Sequence, residues 1–376
     1  MPIGLYIHVP FCVSKCPYCD FYSLPGLTEE RADAYTAAVL RSLDEWAGRL
    51  SGQAADTLYF GGGTPSLLGG ERLVRIIDTA RRRFGLDGAE ITLEANPADG
   101  LDETFRAFAS AGGNRISLGM QSAAADELCS LGRRHDPADV EKAVSAARRA
   151  GIGNLSLDLM LGLERQTVAS AVSSVQAAAR LEAEHVSAYL LKIEEGTPYA
   201  AKRDSLALPD DDQTAELYLA ACEALELAGY RQYEISNFAR PGRESRHNLK
   251  YWNLDPYLGI GPSAHSFLGG QRFAYPRDLG AFLAGNGPER ERPDDDTPPD
   301  AIEEGSETEY VLLRLRLAEG LTERGFREKF GRSLPEAYRQ RAAALPPPLV
   351  EADETGIRLT RLGFLLSNTL IARLIG

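Results

Sequence analysis

The sequence predicts an α/β protein built on a partial (β/α)6 barrel, followed by a small, mainly helical C-terminal domain. Over the first 240 residues, short apolar runs alternate with longer amphipathic runs, giving six β-then-α units in a row. Several of the short runs are almost continuously apolar, as expected for parallel strands covered on both faces. Six units are fewer than the eight of a closed barrel, so an open or partial barrel is expected.

The elements follow one another in a regular order. The apolar runs predict strands over residues 4–9, 57–60, 90–94, 115–119, 155–160 and 185–191. The amphipathic runs predict helices over residues 29–50, 71–84, 102–111, 138–150, 167–181 and 211–227. Glycines follow several of these helices, where a left-handed turn is typical of a helix end. In such a fold the ligand site lies at the C-terminal ends of the strands.

Beyond residue 240 the alternation stops. We expect three regions: the barrel over residues 1–240, an extension over 241–300 and a C-terminal domain over 301–376. A Pro- and Asp-rich stretch at residues 288–306 is typical of a linker or exposed loop. Residues 307–317, 322–330 and 360–374 are predicted helices, and residues 357–359 a predicted strand. Small helices with a short hairpin resemble a winged-helix domain.

Charge and composition argue against several functional classes. Acidic residues number 54 against 41 basic ones, for a net charge of -13. A general nucleic-acid binder needs a basic footprint, and an anionic membrane surface attracts basic segments. No apolar run is long enough to insert into a membrane, and the first residues lack the features of a signal peptide. We therefore expect a cytoplasmic protein that binds no nucleic acid.

Three cysteines share the loop after the first predicted strand, as Cys12, Cys16 and Cys19. A zinc site normally takes four protein ligands, and no fourth cysteine lies near. A disulfide would leave one thiol over and is rare in the cytosol. A [4Fe-4S] cluster on three thiolates would leave one iron open to a further ligand. The remaining cysteines, Cys129 and Cys222, lie in helical patterns and are expected to be small buried residues.

Polar groups mark the ends of the following strands. The string GGGTP at residues 61–65 follows the second strand, and glycines there let the backbone approach a small charged group closely. Glu94 and Gln121 end the third and fourth strands, and Asp158 lies within the fifth. Polar side chains in buried strands need partners. Internal hydrogen bonding would satisfy each one alone, but their recurrence favours a shared ligand.

The cysteine spacing after strand one is the signature of the radical S-adenosylmethionine (SAM) superfamily. Further strings resemble the oxygen-independent coproporphyrinogen III oxidases and their relatives over nearly the whole chain: YIHVPFC (6–12), GGGTP (61–65), GMQS (119–122), RRH (133–135) and YLGIGPSA (257–264). The resemblance implies a [4Fe-4S] cluster on Cys12, Cys16 and Cys19, with SAM at the open iron. It also implies SAM contacts at Tyr6, Gly62, Gly63, Thr64, Glu94, Gln121, Arg133, Asp158, Lys192 and His265. Tyr18 resembles the aromatic residue that stacks on adenine; alternatively, it only covers the cluster.

The sequence also favours one branch of this family. True oxidases carry a further cysteine two residues after the third, where this chain has Phe21, and an N-terminal extension that is missing here. Residues 247–252, HNLKYW, instead resemble the H-N-x-x-Y-W segment of the family's haem chaperones. That resemblance implies haem as bound cargo, with His247 as the candidate iron ligand beside Tyr251 and Trp252. Alternatively, His247 caps a turn and Trp252 fills a seam between domains.

The haem-chaperone branch implies particular partners: haem-requiring respiratory proteins that accept haem, a reductant for the cluster and a second copy of the chain in a homodimer. Two other functions stay open. One is coproporphyrinogen III oxidation, in which two propionates are decarboxylated to vinyl groups. The other is radical SAM chemistry on another substrate. The sequence leaves open whether the protein is an enzyme and identifies no catalytic residue.

Overall fold

The fold was examined in a computed structural model, which describes residues 1–97, 100–290 and 302–376. Its first part alternates strands and helices. The strands are β1 (Ile3–Val9), β2 (Ala55–Gly62), β3 (Glu90–Ala95), β4 (Arg115–Gln121), β5 (Leu155–Leu161) and β6 (His185–Leu190). The helices are α1 (Glu29–Arg49), α2 (Gly70–Phe84), α3 (Leu101–Ser110), α4 (Ala125–Ser130), α5 (Pro137–Arg149), α6 (Val168–Arg180), α7 (Pro198–Ala201) and α8 (Asp211–Leu227).

The next segment adds short elements to the same body. They are β7 (Arg231–Gln232), β8 (Asn237–Ala239), α9 (Arg246–Trp252), β9 (Tyr257–Ile260), β10 (His265–Leu268), β11 (Gln271–Ala274), α10 (Leu279–Leu283) and β12 (Glu289–Arg290). One sheet runs in the order β12-β11-β10-β9-β1-β2-β3-β4-β5-β6-β8-β7. Strands β1 to β6 pair in parallel with one another, β9 pairs in parallel with β1, and β8 pairs in antiparallel fashion with β6. The region after residue 240 therefore extends the sheet beside its first strand.

The main core lies between the sheet and its helices. The parallel strands are buried on both faces, and the helices contribute the apolar side of an amphipathic pattern. Side-chain caps fix several helix starts. Asp136 with Asp139, Thr167 with Ser170 and Asp210 with Gln213 form reciprocal capping boxes at α5, α6 and α8. These caps help to fix where each loop at the sheet edge gives way to a helix.

A second core belongs to the C-terminal region. Its elements are α11 (Glu307–Arg314), β13 (Leu321–Thr322), α12 (Glu323–Phe330), α13 (Glu336–Ala343), β14 (Val350–Ala352), β15 (Gly356–Leu359), α14 (Arg361–Leu365) and α15 (Ser367–Ile375). The three strands form a small antiparallel sheet in the order β13-β15-β14. Lys329 Nζ donates to the carbonyls of Asn253 and Leu254, at 3.1 and 2.6 Å. These bonds attach the region to the loop after α9.

The structure confirms the predicted α/β fold and the six strands and six helices of the first part, with end shifts of at most two residues. The single helix predicted over residues 360–374 is wrong. Two helices meet at Leu366, whose φ of -113° and ψ of 19° are not helical. The break lets Phe364 of one helix and Leu370 of the other face the same core.

The prediction for the two isolated cysteines is half right. Cys222 is buried, but Cys129 is exposed because α4 is a short surface helix whose buried residues are Glu127 and Leu128. Most of the predicted linker at residues 288–306 lies outside the described residues. Within the described ranges, no helix combines the length and the apolar character needed to cross a membrane.

Candidate cofactor site at the open end of the barrel

A cavity of about 400 Å³ opens where the parallel strands end. The three clustered cysteines lie along it. The rest of its lining includes aromatic side chains, cationic side chains and several serine hydroxyls. Most residues that the sequence analysis singled out for cofactor binding share this one space, and they are Cys12, Cys16, Tyr18, Cys19, Gly62, Gly63, Glu94, Gln121, Arg133 and Asp158. The topology thus brings together side chains from five successive β/α units.

The cysteine loop is fixed at both ends by the backbone. The Cys12 amide donates to the Leu24 carbonyl at 3.1 Å, and the Leu24 amide donates to the Pro10 carbonyl at 2.8 Å. Within the loop the Cys19 amide donates to the Cys16 carbonyl at 3.1 Å, which makes a tight turn. The loop therefore holds three thiols along the cavity without support from a helix or strand.

The number of these thiols bears on the kind of metal group. Across residues 1–97, 100–290 and 302–376, no group of three His, Cys, Asp or Glu side chains is arranged to hold a single metal ion. A structural zinc site takes four protein ligands, whereas a [4Fe-4S] cluster on three thiolates leaves one iron open to a further ligand. Three thiols on one cavity wall therefore match the donor set of such a cluster.

The glycines after β2 allow its loop to pack on the cysteine loop. Gly62 has a φ of +106°, and a Cβ there would lie 2.6 Å from the His8 ring. A Cβ on Gly63 would lie 2.5 Å from the Phe11 carbonyl oxygen. The Thr64 amide donates to that same oxygen at 2.7 Å. Any larger side chain at Gly63 would therefore push the cysteine loop away.

A chain of hydrogen bonds joins two of the cysteines through the neighbouring loops. The Thr64 hydroxyl lies 3.5 Å from Cys12 Sγ and accepts a 2.9 Å bond from Asn96 Nδ2. Arg133 donates to Asn96 Oδ1 and, at 3.6 Å, to Cys16 Sγ. Asn96 was not among the residues predicted from the sequence, although its position directly after β3, two residues beyond Glu94, is a signal that could have found it. We call these five residues the cysteine arc.

Two buried carboxyl groups stand further down the cavity. Glu94 accepts from the Tyr59 hydroxyl at 2.7 Å and from the Gly62 amide at 3.3 Å. Burial raises the Glu94 pKa to about 7, against the lowering effect of these two donors. Asp158 accepts from the Ser117 hydroxyl at 3.1 Å, and burial raises its pKa as well. A cationic ligand in the cavity would favour the ionised form of both groups.

The floor of the cavity is more polar than the sequence indicated. Arg115 is only 2% exposed and donates to the Asn154 side chain at 3.1 Å and to the Arg243 carbonyl at 3.3 Å. His185 bridges Ser156 and Tyr233, and burial lowers its pKa. Other residues here were also missed, namely Ser117, Ser187, Tyr189, Ser245 and Asn248. Ser117, Ser187 and Tyr189 lie in strands whose inward face cannot be told from the outward face by sequence alone, whereas Ser245 and Asn248 belong to the start of α9.

Four predicted SAM-contacting residues lie outside the lining of this cavity. Tyr6 donates to or accepts from His8 Nδ1 at 3.1 Å and stacks on Tyr59. Thr64 lines a neighbouring cavity of about 310 Å³ on the other side of the cysteine loop. Lys192 is exposed and pairs with Glu194 at 2.7 Å, and His265 lies exposed at the start of β10. Their assignment to SAM stays a prediction.

The candidate haem ligand is a buried side chain. His247 is 1% exposed, and its two ring nitrogens lie 2.8 Å from the Thr57 hydroxyl and 2.8 Å from the Tyr251 hydroxyl. The ring also stacks on Tyr59 at 5.1 Å between centroids. Burial lowers the His247 pKa to about 3, so the ring is neutral. Binding iron at either nitrogen would require one of these hydrogen bonds to break, and Trp252 lies outside the cavity lining.

Comparisons with known proteins agree with this architecture. Residues 6–178 match the radical SAM superfamily, and residues 307–366 match the HemN C-terminal domain. A protein named heme chaperone HemW from Mycobacterium tuberculosis is 38% identical over 388 residues, covering 100% of this chain and 95% of that protein. The chain belongs to the HemW family. HemW from Bacillus subtilis is 35% identical, with 99% of this chain and 98% of that one covered. HemW from Escherichia coli is 41% identical over 70% of each chain.

The HemW family fold also matches a solved enzyme structure. Coproporphyrinogen III oxidase (HemN) from Escherichia coli, a radical SAM enzyme, superposes with a TM-score of 0.81. The match covers 99% of this chain and 90% of that one at 22% sequence identity. Identity at this level shows a shared fold, including the C-terminal region, and leaves the activity to be argued from the site.

Proposed function

We propose that this HemW-family protein binds haem and hands it to haem-requiring respiratory proteins, on a scaffold that holds a [4Fe-4S] cluster and SAM. The observation that carries the proposal is the full-length similarity to proteins named heme chaperone HemW. The cavity supports the cofactor part, since three thiols and two buried carboxyl groups share it. The cytoplasmic location and a homodimer stay predictions.

The residues around the cavity suit the implied cofactors. Cys12, Cys16 and Cys19 would hold three irons, leaving the fourth iron for the amino and carboxylate groups of SAM. Glu94 and Asp158 would face a ligand that carries a positively charged sulfonium group. When bound, the cluster and SAM supply one-electron cleavage chemistry, and the protein orients them and excludes water. A reductant for the cluster is then needed as a partner.

Coproporphyrinogen III oxidation is the second candidate, because the solved oxidase shares the fold. Phe21 counts against it, since the oxidases that the sequence resembles carry a cysteine at that position. Phe21 is 67% exposed beside the cluster loop and can supply no thiolate.

The test is an anaerobic hemin titration of the cluster-reconstituted protein, followed by Soret absorbance. Saturable binding at one hemin per chain supports the haem-carrier proposal, and subsequent loss of the Soret signal to an apo respiratory haem protein supports the transfer step. In a parallel arm, coproporphyrinogen III is incubated with SAM and reductant. Conversion to protoporphyrinogen IX without saturable hemin binding would replace the carrier proposal with the oxidase.

A further inference from the structure

An aromatic side chain stands unusually exposed at the mouth of the cavity. Phe21 follows the last cluster cysteine by two residues, lines the cavity and is 67% exposed. Tyr189, at the end of β6, lines the same cavity and is 42% exposed. One side chain comes from the loop after β1 and the other from β6, the first and the last of the six barrel strands. Exposed aromatic surface beside a built cavity is typical of a ligand-contacting surface.

The mouth also carries positive charge in a chain whose net charge is -13. Lys15 is exposed and lines the cavity beside Phe21. Arg277 lies outside the cavity lining and donates to the Asp20 carbonyl at 2.7 Å, with its guanidinium 3.7 Å from the Asp20 carboxylate. Asp20 is an opposing charge beside Phe21, and it is itself exposed. Two cations on the loop side of the mouth, near Phe21, complement an apolar ring system that carries carboxylates.

The volume of the cavity indicates that haem and SAM would occupy different places. A cavity of about 400 Å³ is of the size that holds one small ligand. A haem macrocycle is broader than SAM and would not share the enclosed part with it. The buried position of His247, with both ring nitrogens hydrogen-bonded, offers no open iron ligand there.

We infer that haem docks across the mouth of the cavity, its macrocycle against Phe21 and Tyr189 and its propionates toward Lys15 and Arg277. The inference rests on the proposed haem-carrier function and places haem directly over the cluster and SAM. Haem bound there closes the cavity, which couples the presence of cargo to the release of SAM.

The first experiment compares two exposed apolar positions in cluster-reconstituted protein. Phe21→Ser removes the aromatic rim, and Leu227→Ser alters an 83% exposed leucine at the end of α8, outside the cavity lining. Hemin affinity, followed by Soret absorbance, should fall at least tenfold in Phe21→Ser and stay unchanged in Leu227→Ser. Equal affinity in both variants and the wild type overturns the docking surface. No saturable binding to the wild type overturns the proposed function instead.

Iron content and circular dichroism would show whether Phe21→Ser disturbs the loop. If it does, two further measurements still test the docking surface: hemin binding by charge variants, and the rate of SAM release. Lys15→Gln and Arg277→Gln should each weaken hemin binding, and hemin dimethyl ester, which lacks the free carboxylates, should bind the wild type and these variants alike. In the second, radiolabelled SAM should dissociate several-fold more slowly from wild type saturated with hemin. Unchanged SAM release, or undiminished hemin affinity in both glutamine variants, contradicts docking across the mouth.

Discussion

Asn96 shows how one side chain can set the direction of several hydrogen bonds. A guanidinium only donates, so Arg133 fixes Asn96 Oδ1 as the acceptor and leaves Asn96 Nδ2 to face Thr64. An amide nitrogen only donates, so the Thr64 oxygen accepts and its own proton is left for Cys12 Sγ, 3.5 Å away. Both ends of the cysteine arc therefore direct donors at cysteine sulfurs. Once these thiolates hold the proposed cluster, such donors would raise its reduction potential.

The direction of the Thr64 bond can be tested through the potential itself. Asn96→Asp still accepts from Arg133 but offers no donor, so the Thr64 hydroxyl turns to the new carboxylate. Thr64→Val removes the hydroxyl without adding charge. We expect both variants to lower the reduction potential of the reconstituted cluster, measured by anaerobic redox titration followed by EPR without SAM. Thr64→Ser, which keeps the hydroxyl, should match the wild type. An unchanged potential in Thr64→Val would show that Cys12 receives no bond from this residue.

Glu94 should make SAM affinity depend on pH. Its pKa is raised to about 7, so the side chain is largely neutral at pH 6 and largely ionised at pH 8. Because SAM keeps a positively charged sulfonium when its amino group binds iron, it should bind the ionised form better. Calorimetric titration should show affinity rising from pH 6 to pH 8, by no more than about tenfold per pH unit. Glu94→Gln still accepts from Tyr59 and should flatten the profile. A wild-type profile already flat over this range would exclude Glu94 from the SAM site.

At the scale of elements, the strands and helices of the barrel could be predicted because burial imposes a period on the sequence. Strand β5 is apolar apart from Ser156 and Asp158, and both of those side chains line the cavity. The short pieces β7, β8 and β12 carry no such period, since two or three residues cannot show one. The candidate site residues were predictable to the same extent. Cys12 and Glu94 could be predicted because they belong to sequence motifs. Arg115 and Asn96 could be assigned to the site only once the structure placed the strands side by side.

Helix α9 carries a motif that the sequence associated with haem, but its side chains also hold the helix against the barrel. Its residue His247 joins the helix to β2 through Thr57 and stacks on Tyr59, which in turn donates to Glu94. Lys250, on the same helix, pairs with Asp56 at 2.7 Å. The H-N-x-x-Y-W segment therefore connects the region after the barrel to β2, which contacts the cavity-lining carboxylate of Glu94.

His247→Ala should destabilise the fold. It leaves the Thr57 and Tyr251 hydroxyls without their partner and empties a buried ring site, at a cost of about 3 kcal/mol in the free energy of unfolding. Urea denaturation of the apoprotein at pH 7.5 measures this cost. Arg246→Ala, on the exposed side of the same helix, should stay within about 0.5 kcal/mol of the wild type. A cost below 1 kcal/mol for His247→Ala would mean that the helix does not depend on this ring.

At the scale of the whole molecule, two sets of buried ionisable groups have opposite effects on how stability depends on pH. Burial raises the pKa of Glu94 and of Glu234 to about 7 and raises that of Asp158. Burial lowers the pKa of four histidines, namely His8, His135, His185 and His247. The cavity and its supports thus favour the neutral forms of these groups in the apoprotein, and the two sets change stability with pH in opposite directions.

The signs follow from proton linkage. Between about pH 4.5 and 7 the folded carboxyl groups hold protons that the unfolded chain releases, so their stabilisation is lost as pH rises through 7. Below about pH 6.5 the unfolded chain protonates histidines that stay neutral when folded, so stability is lost as pH falls. The net charge of -13 adds self-repulsion on the alkaline side. The apoprotein should therefore be most stable slightly below neutral pH.

Urea denaturation of the apoprotein from pH 5 to pH 8.5 tests this balance, because urea adds no charge. The unfolding midpoint should peak near pH 6 and decline as pH rises through 7. The double variant Glu94→Gln with Glu234→Gln should lose most of this decline, whereas Glu195→Gln, an exposed glutamate, should keep it. A wild-type midpoint that rises steadily from pH 6 to pH 8.5 would mean that these carboxyl groups ionise freely in the folded chain. SAM, by favouring their ionised form, should move the peak to higher pH in the loaded protein.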